Sequence, residues 1–199
     1  MAEFRRGFKA WCENAAAGFR RDLRLPAISA LDPRALAQHL KVTIWTPHDV
    51  ADMGKLAKPH LDQLLIHDPD SWSAVTLILP IRKVIVVNSQ HSPERQNSDI
   101  MHELSHLILE HEPARVDMTQ ERLMILDTYD RTQEDEANWL AGALLVPREA
   151  LLHVLSHNSR DTHVALHFKV SKQMILWRRQ TTGVDAQLKR RNSKGSRSV

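Results

Sequence analysis

Two histidines and a glutamate within five residues, His102-Glu103-Leu104-Ser105-His106, constrain this chain more than any other stretch. Histidines four apart on a helix face the same way and stand close enough to share one zinc ion. The glutamate between them is then placed to act on a water at that ion. Local signals supply the helix. Ser92 followed by Pro93 is a hydroxyl N-cap with proline at the first helical position. The run from Glu94 to about Glu110 then contains no glycine or further proline until Pro113, so both histidines fall in mid-helix. Ile100, Leu104, Leu107 and Ile108 form an apolar stripe that buries one side of this helix and sets an ion at the floor of a cleft.

Zinc requires a third protein ligand, and a catalytic site stops at three so that water takes the fourth position, whereas a structural site closes with four. A candidate lies downstream. The segment from Gln133 to Pro147, QEDEANWLAGALLVP, reads as a helix with an acidic first turn, an apolar body and a proline stop. Glu134 and Asn138 are four apart and share a face, which offers a carboxylate ligand beside an amide able to orient a neighbouring histidine. Glu136 lies about 200° round the helix from Glu134. Asp135 and Glu136 are therefore expected to complement the helix dipole.

The rest of the chain reads as an α+β arrangement. Residues 4–24 carry apolar positions at helical spacing, and Asp32-Pro33 starts a short helix ending near Leu40. Lys41 to Trp45 is a short strand, and Pro47 to about Ile66 is helical but interrupted at Gly54 and Pro59. A turn follows at His67-Asp68-Pro69-Asp70. Trp72 to Leu79 and Lys83 to Asn88 form an antiparallel strand pair, and helices dominate from Pro93 onward. The expected organisation is a helical segment over 1–66 packing on a core over 67–158, then a helical pair over 159–184 and a disordered basic tail over 185–199. A small twisted sheet with an antiparallel pair lies against the zinc helix. No residue declares which strand is the edge.

At 199 residues and 42% hydrophobic content, one compact domain is the natural size. Cys12 is the lone cysteine, so no intrachain disulfide can form. No apolar run approaches the length of a membrane span, and the charged start MAEFRR lacks a secretory apolar region, so a cytoplasmic protein without membrane partners is expected. The formal charge of +3 and pI near 9.2 owe much to the basic end of the chain.

A nucleic-acid reading rests on residues 165–179, where Ser171 caps a second helix bearing Lys172, Gln173, Arg178 and Arg179 after an apolar first helix, the pattern of a helix-turn-helix. On that alternative the chain is a DNA-binding regulator and its zinc site is structural or sensory. Changes at Lys172 or Arg178 would then destroy function.

HELSH followed by EDEANWLAGALLVP resembles the paired motifs of the ImmA/IrrE-like metallo-endopeptidases, the family of a phage anti-repressor and a radiation-response regulator. The strand segments around Ser73–Thr76 and Val84–Asn88, the helix start at His91–Gln96 and the stretch from Leu31 to Leu40 are similar to the same family. The resemblance implies a mostly helical zincin-like core of gluzincin type, Zn2+ held by His102, His106 and Glu134, and Glu103 as general base. It also implies a protein substrate, a DNA-binding repressor or antitoxin-like regulator, in a stress-response or phage-related setting. Such peptidases use a further donor to the oxyanion; Tyr129, His111, His153, His157 and His163 are available and their spacing selects none.

Overall fold

The computed structural model describes residues 4–111, 116–118, 124–126, 130–157 and 160–195. Phe8–Asp22 forms α1, whose Phe8, Cys12 and Ala16 are buried, and Pro33–His39 forms α2, capped by the Asp32 carboxylate accepting from the Arg34 N–H. Val42–Trp45 is β1. The interrupted helical stretch that follows breaks into α3 (Pro47–Asp52), α4 (Lys58–Asp62) and a π-helical turn over Gln63–His67. Ala74–Leu79 is β2 and Arg82–Val87 is β3.

These strands make one mixed sheet of order β1-β3-β2. β3 runs parallel to β1 and antiparallel to β2, with Thr76 opposite Ile85 and Ile78 opposite Lys83. The edges left open by the sequence are thereby assigned: β1 and β2 flank β3, and each has one side unpaired among the described residues. Every residue from Val84 to Val87 is buried, the pattern of a central strand covered on both faces.

Pro93–Ile108 forms α5, with Ser92 Oγ accepting from the Arg95 N–H at 3.3 Å. Its buried Ile100, Met101 and Leu104 join Ile85 and Val87 of the sheet in the main core. Arg131–Leu145 forms α6, whose Ala137, Leu140, Ala141 and Leu144 are fully or nearly buried. This helix begins two residues before the expected Gln133, because Asp130 caps it by accepting from Thr132 and Gln133 N–H groups. Helices do not fill the remainder alone: Val116–Met118 (β4) and Met124–Leu126 (β5) pair antiparallel between α5 and α6.

Pro147 stops α6 and opens α7 (Arg148–Ser156), followed by α8 (Asp161–Phe168), α9 (Lys172–Thr182) and α10 (Val184–Gly195). α9 lies hard against α6. A Cβ on Gly142 would stand 2.3 Å from Trp177, so only glycine permits that approach. The tail expected to be disordered is helical as far as Gly195. Its first turns are anchored by the fully buried Val184, by Asp185 against Arg179 and by Gln187 against Arg148, contacts that composition does not reveal. The result is a mostly helical α+β chain with a zincin-like core. Among the described residues no single helix is long and apolar enough to cross a membrane.

Candidate metal centre

α5 and α6 pack face to face in the core, and their polar sides converge. His102 Nε2 lies 3.1 Å from His106 Nε2 and 3.2 Å from one Glu134 oxygen, while His106 Nε2 lies 3.4 Å from the other. The three side chains are 24%, 22% and 31% exposed, which puts them in a cleft open to solvent. No other three histidine, cysteine, aspartate or glutamate side chains converge in this way among the described residues. Asn138 stands one turn after Glu134, and its Oδ1 is 3.1 Å from His102 Nδ1.

Glu103 lies between this cluster and the sheet, where Thr76 Oγ1 of β2 donates to its Oε2 at 2.5 Å. Burial raises the Glu103 carboxyl above the usual carboxylate range; the Thr76 hydroxyl and the neighbouring His102 act in the opposite direction. The His106 imidazole is pushed down to about 4, first by burial and then by His102 and His111, so it is neutral at pH 7.

The donor set fits a divalent metal ion. The Asn138 amide oxygen accepts a hydrogen bond from His102 Nδ1, which in the neutral ring leaves Nε2 with a lone pair. That nitrogen faces His106 Nε2 and two carboxylate oxygens, an assembly of acceptors that a cation between them reconciles. Donor atoms about 2.0–2.2 Å from a four-coordinate ion stand about 3.3–3.6 Å apart, close to the separations found.

Two partners escaped the sequence. His111 Nδ1 lies 3.0 Å from His106 Nδ1, and His111 Nε2 lies 3.3 Å from Glu136 Oε2. Glu136 was expected to serve the helix dipole, since its face of α6 diverges from that of Glu134; the end of α5 reaches it instead. With both ring nitrogens engaged and its side chain 7% exposed, His111 is not free to serve an oxyanion. His153 on α7 and His157 just after it are exposed, and among the described residues the His157 ring meets Ser156 and the His153 carbonyl. His163 is exposed on α8, and Tyr129 lies outside the described residues. Behind the site, His91 Nδ1 donates to Asp99 at 2.8 Å, and Asn88 Nδ2 donates to the Pro69 and Trp72 carbonyls, tying the start of α5 to the end of β3.

The helix-turn-helix expectation for α8 and α9 is corrected at its arginines. Arg178 is fully buried, donating to the Val146 carbonyl and pairing with Glu13 of α1. Arg179 bridges Asp161 and Asp185. Lys172 and Gln173 remain exposed, but the two guanidinium groups are spent on holding helices together.

A helix bearing two histidines and a glutamate, a carboxylate from the next core helix and a small mixed sheet behind them are the parts of a zincin-like metallopeptidase. The chain belongs to the peptidase family of the IrrE N-terminal-like domain, whose family model matches residues 56–178, more than half of its length. No curated protein shows a significant match to it. The family match begins after β1, yet β1 supplies a strand of the core sheet and α1 covers α6, so the preceding residues complete the same core.

Proposed function

We propose that the chain is a gluzincin-type zinc endopeptidase that cuts one intracellular protein in the cytoplasm, a DNA-binding repressor or an antitoxin-like regulator. One observation carries the reading: two imidazole nitrogens and a carboxylate stand 3.1–3.4 Å apart beside a buried glutamate. His102, His106 and Glu134 would hold the ion, and a set of two nitrogens and one oxygen suits Zn2+. When bound, the ion lowers the pKa of a water toward neutrality and polarises the carbonyl to be cut.

The remaining work falls to the chain. Glu103 takes a proton from the attacking water and delivers it to the leaving amine. Thr76 occupies Oε2 and leaves Oε1 for the transfer, while burial raises the proton affinity enough for the carboxyl to carry the proton between the two steps. Asn138 fixes the His102 ring. The unpaired edge of β2 carries Thr76, so a peptide added to that edge by main-chain hydrogen bonds would run past Glu103. The repressor as target rests on the resemblance to the ImmA/IrrE-like enzymes.

The test is to incubate the purified protein with a repressor encoded beside its gene and map any cut by mass spectrometry. Glu103→Gln should retain its zinc, measured by elemental analysis, and lose cleavage by about 10²- to 10⁴-fold. Undiminished cleavage by that variant removes the mechanism.

A further inference from the structure

His111 and Glu136 lie outside the three proposed ligands, yet they form a continuous polar chain with one of them. α5 ends in a reversal that brings this about. Glu110 adopts a left-handed backbone at φ +56°, and the His111 N–H donates to the His106 carbonyl at 3.0 Å, folding His111 back beneath the last turn of the helix. Its ring then lies between His106 and Glu136, with Nδ1 3.0 Å from His106 and Nε2 3.3 Å from the carboxylate.

We propose that His111 and Glu136 are positioning residues that fix the ring orientation and tautomer of His106, so that its Nε2 lone pair is always the one presented to the site. The inference rests on the reading of that site as a metal centre. The proton count gives it direction. An ionised carboxylate can only accept, so His111 must carry its proton on Nε2 and donate to Glu136. His111 Nδ1 is then an acceptor, and the single proton of a neutral His106 must sit on Nδ1 to reach it. Nε2 of His106 is left bare, facing His102 and Glu134. With both rings neutral the chain has one sense only, because the ionised carboxylate at its far end has no proton to return.

His102 achieves the same outcome with a shorter device, the amide oxygen of Asn138. The two ligands are therefore supported unequally: one by a neutral amide at the more exposed side, the other by a half-buried imidazole–carboxylate pair. A ring that donates toward a carboxylate is also a stronger base at its other nitrogen.

Three variants test this in protein stripped of metal and titrated with Zn2+ against a chromophoric chelator, with nitrogen-15 NMR of the His106 ring in the stripped state. His111→Leu and Glu136→Leu should weaken Zn2+ binding by about 10- to 100-fold and let the His106 proton appear on Nε2. His111→Asn puts an amide oxygen where Nδ1 stood and should restore both tautomer and affinity to within about threefold. Circular dichroism checks folding, and Glu136→Leu alone decides the matter if His111→Leu fails to fold. Folded leucine variants with wild-type affinity and an unchanged His106 tautomer overturn the relay. A wild-type protein that binds no Zn2+ sinks the metal reading instead, while the tautomer measurement still judges the relay.

Discussion

Each titrating group at the site owes its state to a small number of neighbours. The His106 imidazole is held at about 4, below its ordinary 6.5, so in the metal-free protein the unfolded chain binds the extra proton first as pH falls. The stability associated with its neutral form is fully present above about pH 6.5 and is lost as pH drops toward 4, up to about 3 kcal/mol. Thermal unfolding of metal-free protein should show that slope between the two values, and His106→Gln should flatten it. A slope unchanged in the variant would assign the acid lability elsewhere. Thr76 makes a second prediction. Thr76→Val keeps the shape but removes the donor to Glu103, a hydrogen bond to a charged group worth about 1.5–3 kcal/mol. The acidic limb of the pH–rate profile should move to higher pH and kcat should fall about 10-fold or more with little change in KM, whereas Thr76→Ser should behave as wild type. The pairs His102 with His106 and Glu134 with Asn138 were legible in the chain, because i and i+4 spacing is a local property of a helix, whereas their joining into one set was implied by the family resemblance. His111 and Glu136 were not legible, since their meeting depends on how α5 ends and where α6 passes.

Elements carry the site only if they start and stop in the right places. Ser92 and Pro93 begin α5 where their chemistry predicts, but α6 begins at Arg131, two residues before the expected Gln133, because Asp130 caps it. The stop of α5 is the more consequential. Glu110 occupies a left-handed position that glycine takes without strain, and a side chain there costs about 1 kcal/mol. Glu110→Gly should raise stability by about that amount in urea unfolding while leaving Zn2+ affinity unchanged. A destabilised variant would mean that the glutamate side chain holds the reversal. The short strands β4 and β5 carried no periodic signal long enough to separate them from the helices on either side. The edges of the sheet were equally hidden, because only pairing reveals which strands end the row.

At the scale of the whole molecule, one ion pair joins α9 to α1, and its arginine also holds the Val146 carbonyl at the end of α6. Arg178 is fully buried, and burial lowers its affinity for a proton while Glu13 sustains its charge. Removing one partner of a buried pair strands the other, so Glu13→Ala should destabilise the fold by about 3 kcal/mol, seen as a lower midpoint in chemical unfolding. Glu13→Ala with unaltered stability would mean that solvent reaches Arg178. The same pair explains why a helix that reads as a basic recognition element is a brace: sequence counts charges but does not say which of them find a partner 165 positions away. Periodicity and capping chemistry marked the helix of the two histidines, the helix carrying Glu134 and the α+β class, since each depends on residues within a few turns of one another. Packing decided the open strand beside Glu103, the imidazole behind His106 and the burial of Arg178, because those follow from contacts between distant segments whose relative placement no local pattern encodes.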